Sequence, residues 1–296
     1  MNTQEMTAKI AEGQGFIAAL DQSGGSTPKA LRGYGVEDSE WSGDDEMFAQ
    51  IHQMRSRVIT SPCFASGKVI GAILFEKTMD GEVDGLPTPD ALRARGVVPF
   101  IKVDQGLAVK ADGGQLMMPL DKLPALLEKS VAKGMFGTKM RSVIKSANPT
   151  GIAAIVAQQF EAGNQIADAG LVPMIEPEYD ITAEDREAGE EILLAEIMKQ
   201  LDALPEGRKV MLKLSIPVKP GLYARAIAHP NVLRVVALSG GYSTDDACEH
   251  LAKNAGMIAS FSRGLLQDLR KGQSDAEFDG TLSQAIDQIA AASTAG

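Results

Sequence analysis

Charged residues stand inside runs of the chain that are mostly apolar, among them Asp21, Lys102, Asp104, Lys139, Arg141, Glu176, Glu178, Lys213 and Arg263. Each of these nine lies in the C-terminal half of its run. Burying an unpartnered charge costs on the order of several kcal/mol, so each needs a chemical reason. Parity narrows that reason. In KVMLKLS, the residues Met211, Lys213 and Ser215 share one face of an extended strand, and Leu212 and Leu214 share the other. Gly137, Lys139 and Arg141 share a face of their run, as do Met174, Glu176 and Glu178 of theirs. If these three runs are neighbours, Lys139 and Lys213 approach each other with Glu176 between them. Such a set suits amine chemistry. A free lysine has a pKa of about 10.4, so only about one in a thousand is neutral near neutral pH. A nucleophilic lysine needs that value lowered by roughly 2–3, or about 3–4 kcal/mol. Burial and a second nearby cation act in that direction. A neutral Lys213 adds to a ketone and forms an iminium ion, with Glu176 placed to shuttle protons and Asp21 to take a hydroxyl proton.

A second cluster suits anions. Leu238-Ser239-Gly240-Gly241 and Ser262-Arg263-Gly264 follow the last two apolar runs, and Ser23-Gly24-Gly25-Ser26 with Lys29 follows the first. Together they gather Lys29, Lys102, Lys139, Arg141, Lys213 and Arg263 on a chain of net charge −10. So local a reversal of sign fits a sugar carrying two phosphates.

The elements that must position these groups are legible as alternation. Eight short apolar runs (Phe16–Asp21, Gly71–Glu76, Pro99–Asp104, Met135–Arg141, Leu171–Glu178, Lys209–Ser215, Leu233–Gly240 and Met257–Arg263) read as strands buried on both faces. Amphipathic stretches separate them. Thr88-Pro89 predicts one helix start, Thr182 a second and Ser243 a third, and Gly96 predicts a stop. Eight strand–helix units point to a single-domain (β/α)8 TIM barrel over residues 1–296, its active site at the C-terminal strand ends. A doubly wound sheet is the structural alternative. The segment 22–68 reads as a long first strand-to-helix connection with its helix, not a separate domain.

Composition bounds the rest. The 296 residues are 44% hydrophobic and 23% charged, a globular balance. Two cysteines, Cys63 and Cys248, and three scattered histidines supply neither a disulfide framework nor a zinc site, which leaves a carboxylate-bound magnesium open; no nucleotide-binding motif occurs, so no other cofactor is expected. Twenty-nine basic against 39 acidic residues predict no nucleic-acid or membrane-surface partner. The N-terminus lacks a signal-peptide pattern and no window spans a membrane, which predicts a cytoplasmic protein.

At the segments IAALDQSGGSTPKAL, GAILFEKT, FIKVDQG, GTKMRSVI, LVPMIEPE, VMLKLSIP, ALSGGYS and SFSRGL, the sequence resembles the class I, Schiff-base-forming fructose-bisphosphate aldolases, in their short bacterial form. These segments occur in family order over nearly the whole chain. The resemblance implies cleavage of fructose 1,6-bisphosphate without a metal. It implies that Lys213 is the Schiff-base lysine, Glu176 the acid/base with Glu178 beside it, Lys139 a lysine supporting C–C cleavage, and Asp21 the acceptor of the C4-hydroxyl proton. It assigns Ser239, Gly240 and Arg263 to the ketone-side phosphate, and Lys102, Arg141, Ser26 and Lys29 to sugar hydroxyls or the distal phosphate. Barrels of this kind often associate, so a homo-oligomer is expected. Three departures from animal members stand out: Gln22 for Glu, Leu214-Ser215 for Pro-Asn, and no C-terminal tyrosine. Two other readings stay open at this point. One is a Schiff-base aldolase or transaldolase acting on a different sugar phosphate, and the other a non-catalytic binding protein on the same barrel.

Overall fold

The computed structural model describes residues 1–295. Eight strands, β1 (Phe16–Leu20), β2 (Val69–Leu74), β3 (Val98–Lys102), β4 (Gly137–Ile144), β5 (Val172–Tyr179), β6 (Val210–Ser215), β7 (Val232–Leu238) and β8 (Met257–Ala259), pair in parallel and in chain order. The Ala19 N–H donates to the Phe261 carbonyl at 3.1 Å and joins the two ends of this order. The result is the expected (β/α)8 barrel, one domain. Strands covered on both faces explain the short, continuous apolar runs.

Two apolar layers form. Strand residues facing outward pack against the helices in one large buried cluster. Those facing inward (Ile17, Phe100, Met174, Met211, Val236 and Ile258 among them) fill the barrel, and Met6 and Ile10 of the N-terminal helix Thr3–Glu12 join them. That helix closes the N-terminal end of the barrel, leaving the C-terminal end for polar groups.

Several boundaries differ from expectation. β1, β3 and β8 stop at Leu20, Lys102 and Ala259, so Asp21, Asp104 and Arg263 lie beyond their strands. Arg263 instead opens a four-residue helix. The run at 135–141 begins its strand two residues later and extends to Ile144. Thr88 is no cap, because its hydroxyl donates to the Gly81 carbonyl and Pro87 holds the cap position. Thr182 is no cap either: its hydroxyl is bonded to Asp180, and the helix begins at Arg186. Ser243 does cap its helix, accepting the Asp246 N–H at 3.1 Å. Gly96 ends its helix with φ +73°, a value that favours glycine. The segment 22–68 holds two helices, Ser26–Tyr34 and Gly43–Thr60.

Candidate active site

One step above the inward-facing apolar layer, the barrel turns polar. Met174 and Met211 are followed two residues later by Glu176 and Lys213, and Lys139 sits directly beside Lys102 in register. Glu176, Lys139 and Lys213 are all buried, at 3–4% exposure. The Lys213 Nζ lies 3.0 Å from Glu176 Oε1, and the Lys139 Nζ lies 3.0 Å from Glu176 Oε2. One carboxylate thus stands between two lysines. Lys139 also lies 2.7 Å from Asp21 and 4.0 Å from Asp104. Ser215, expected on the same face as Lys213, is not at the mouth. β5 and β6 pair only at Met174↔Met211 and Ile175↔Leu212, and above that point the Ser215 hydroxyl bridges them. It accepts from the Tyr179 N–H and donates to the Tyr179 carbonyl.

The charges fix one another. Burial works to raise the Asp21 carboxyl, but Lys139, Lys213 and Lys102 outweigh it and hold the group well below the usual carboxylate range. Burial works to lower the Lys139 ammonium, but Asp21, Glu176 and Asp104 hold it well above the usual lysine range. Lys139 is therefore a permanent cation at neutral pH, and Asp21 a permanent but weakly basic carboxylate. The neighbour acting directly on Lys213 is a carboxylate, not the bare cation expected.

Two residues that sequence reasoning missed support this layer. Gln159, fully buried on helix Pro149–Asp168, accepts the Glu176 N–H at 3.2 Å. Its amide nitrogen donates to Met140 O, Ser142 Oγ and Glu176 O. Arg55, also fully buried, donates to Gln22 O, Gln22 Oε1 and Thr78 Oγ1. Burial pushes its guanidinium down to about 10, with Asp21 pulling the other way. Gln22 passes the contact on, donating to Ser262 Oγ at 2.5 Å. Both residues sit in helices whose polar positions read as solvated faces. Asp104 was visible in the sequence but unassigned; it accepts from Lys102 Nζ at 2.6 Å and from the Arg141 N–H at 3.2 Å.

All twelve sequence-predicted site residues line one cavity of about 780 Å³ at this end of the barrel. Its charge is less one-sided than the sequence suggested. Against six cations stand Asp21, Asp104, Glu176 and Glu178, an excess of two. Lys102 is paired with Asp104, Arg141 with Glu178, and both Lys139 and Lys213 with Glu176. Among the described residues, Lys29 and Arg263 have no carboxylate partner, and both are exposed at the cavity. Lys29 lies in the first turn of helix Ser26–Tyr34, whose positive dipole end favours an anion, although its Ser26 and Thr27 N–H groups donate to the Ser23 and Gly24 carbonyls and Pro28 has none. Arg263 faces the turn after β7, where Gly240 and Gly241 have φ +63° and +127°. A Cβ on Gly240 would lie 2.5 Å from Ile181, so this turn is open only to glycine. Ser26 is held locally, donating to the Ser23 carbonyl.

Comparison with known proteins decides the family. A sequence profile of the class-I fructose-bisphosphate aldolases matches residues 3–214. A Synechocystis sp. protein described as fructose-bisphosphate aldolase class 1 is 55% identical over 291 residues, covering 98% of this chain and 97% of the relative. The chain belongs to the class I fructose-bisphosphate aldolase family. A solved Plasmodium falciparum fructose-bisphosphate aldolase, in complex with TRAP and a small-molecule inhibitor, matches with TM-score 0.78 at 20% identity. That match covers 99% of this chain and 95% of the other. A Corynebacterium glutamicum protein matches with TM-score 0.55 at 14% identity, covering 98% and 92%. At these identities the structural matches speak for the barrel, while the class I family assignment rests on sequence.

Proposed function

We propose that the chain catalyses the reversible aldol cleavage of fructose 1,6-bisphosphate to dihydroxyacetone phosphate and glyceraldehyde 3-phosphate through a Schiff base on Lys213. The observation that carries this reading is the single buried carboxylate, Glu176, within 3.0 Å of both Lys213 and Lys139. An amine must shed a proton before it can add to the C2 ketone, and Glu176 is at hydrogen-bond distance to receive it. Returned to the carbinolamine oxygen, the same proton lets water leave and the iminium form. The iminium draws in the electrons of the C3–C4 bond as the C4 hydroxyl proton passes to Asp21. The aldehyde departs, the enamine is protonated at C3, and water releases the ketone from Lys213. Asp21 is a weak base while Lys139 holds it, so substrate hydroxyls must compete for the Lys139 ammonium before this transfer. Glu178, paired with Arg141, stands beside Glu176 as an auxiliary carboxylate.

The two unpaired cations suit a substrate with a phosphate at each end. Arg263 with the Ser239–Gly240 turn takes the ketone-side phosphate; Lys29 with Ser26 and the helix start takes the distal one. Lys102 and Arg141, already neutralised by carboxylates, are left to the sugar hydroxyls. The test is reduction with borohydride in the presence of fructose 1,6-bisphosphate, followed by peptide mapping. The expected result is one adduct on Lys213, formed equally well with EDTA present. An adduct on another lysine, or turnover abolished by EDTA, overturns the reading.

Among the described residues no helix is long and apolar enough to cross a membrane. We infer a cytoplasmic homo-oligomer acting on small sugar phosphates, without nucleic-acid or membrane partners. Fractionation and light scattering test the location and the assembly.

A further inference from the structure

Behind the glycine turn lies a buried polar cluster that the proposed reaction does not use. Arg186 is 4% exposed and Glu190 fully buried, one helical turn apart, with Arg186 Nε donating to Glu190 Oε1 at 2.7 Å. Glu190 Oε2 accepts the Val218 N–H at 2.9 Å, and Arg186 Nη2 donates to the Ile216 carbonyl. Both contacts fall in the connection that follows β6, the strand of Lys213. The remaining guanidinium nitrogen, Nη1, donates to the Tyr242 hydroxyl at 3.0 Å. Tyr242 closes the glycine turn, its N–H donating to the Ser239 carbonyl at 3.0 Å, and its ring lies 5.0 Å from that of His250. One buried guanidinium thus ties the connection after the reactive strand to the turn facing Arg263.

We propose that Arg186, through the Tyr242 hydroxyl, is a positioning device for the Ser239–Tyr242 turn. It sets that turn's amides for a phosphate at a fixed height above Lys213. This rests on the reading that the turn receives the ketone-side phosphate. The physical case is one of preorganisation. A turn with two glycines at positive φ is intrinsically loose, and ordering it at the moment of binding weakens that binding. A hydroxyl held by a guanidinium that is itself fixed by Glu190 and Ile216 removes that freedom beforehand. Glu190 and Ile216 occupy only two of the three guanidinium nitrogens, and the third is spent on the Tyr242 hydroxyl.

The experiment uses Tyr242→Phe, which removes the hydroxyl and keeps the ring. Borohydride trapping is titrated with dihydroxyacetone phosphate and with unphosphorylated dihydroxyacetone, and amide hydrogen exchange is followed over residues 239–243. The expected result is a half-saturating dihydroxyacetone phosphate concentration raised roughly ten- to a hundredfold, the effect of one lost hydrogen bond to a charged group. Maximal trapping and the dihydroxyacetone titration stay as in the wild type, which also shows that the barrel is folded. Exchange at 239–243 becomes faster. The anchor is overturned if both titrations shift together or neither shifts, with exchange unchanged. If even the wild type is not trapped, the aldol reading fails, and exchange at 239–243 then decides the anchor alone.

Discussion

Replacing Lys139 by Met leaves Asp21 without the ammonium 2.7 Å away and leaves Glu176 with Lys213 alone. Removing one member of a buried charge set strands its partners, at a cost of about 3–5 kcal/mol. Lys139→Met should show that loss in urea unfolding at neutral pH. The sign of its pH dependence follows from the two shifts. The Asp21 value in the folded chain is depressed below 3.8, so its contribution is present above 3.8 and lost as pH falls through the folded value. The Lys139 value is raised above 10.5, so its contribution is present below 10.5 and lost only as pH rises beyond it. The stability gap between wild type and Lys139→Met is therefore constant between these limits and narrows in acid. A gap that widens on acidification refutes the pairing. Lys213→Met is the contrasting case. Glu176 keeps Lys139 at 3.0 Å, so the fold survives. Turnover falls by several orders of magnitude and no borohydride adduct forms. A Lys213→Met protein with near-normal turnover places the chemistry on another lysine. These residues were legible because charge inside an apolar run is costly and therefore meaningful. Arg55 and Gln159 were not, because a polar residue on a helix gives no sign that it faces the protein interior instead of water.

At the scale of elements, the site depends on how β4 and β5 are held together. They pair over eight positions, from Gly137↔Val172 to Ile144↔Tyr179, and Gln159 reaches across both from the helix outside. Its four contacts, two of them to the Glu176 main chain, set the level at which that carboxylate enters the barrel. Gln159→Leu removes these contacts while nearly keeping the volume. It leaves the Glu176 N–H without its acceptor at a cost of about 1–3 kcal/mol. It should lower kcat more than KM and alter the pH profile of kcat, because the displaced group is the proposed proton shuttle. A fall in melting temperature with unchanged kinetics makes Gln159 structural only. The alternation of runs revealed these strands, yet not where they end. Asp21, Asp104 and Arg263 continue the apolar runs in composition, but their amides lie past the last ladder pairs. Thr88 and Thr182 fit a cap pattern, but each hydroxyl found a different partner, and only packing decides between such partners.

The whole molecule separates stability from chemistry along its axis. The N-terminal helix Thr3–Glu12 is fixed by a capping box between Asn2 and Glu5, and its end is held where Arg234 donates to the Ala11 carbonyl. Met6 and Ile10 project from it into the apolar cluster that fills the barrel, at the opposite end from Lys213. Met6 and Ile10 fall at i and i+4, the spacing of a helix's buried face, but two residues alone do not say what that face covers. Its role is visible only once the strands close into a ring whose lower opening needs a plug. Ile10 is fully buried, so Ile10→Ala should cost about 2–5 kcal/mol through lost burial and the cavity left behind. For a domain of this size that lowers the melting temperature by roughly 3–8 °C. The Glu176–Lys213 contact is separated from the change by the inward-facing layer of Met174 and Met211. Below the transition, kcat, KM and Schiff-base trapping should therefore match the wild type, as expected for residues at the base of a barrel whose site is at its top. Ile10→Ala and Lys213→Met then form a pair with opposite signatures: one loses stability and keeps chemistry, the other keeps stability and loses chemistry. If Ile10→Ala lowers kcat in the fully folded protein, the apolar layer transmits the strain upward, and the two ends of the barrel are coupled.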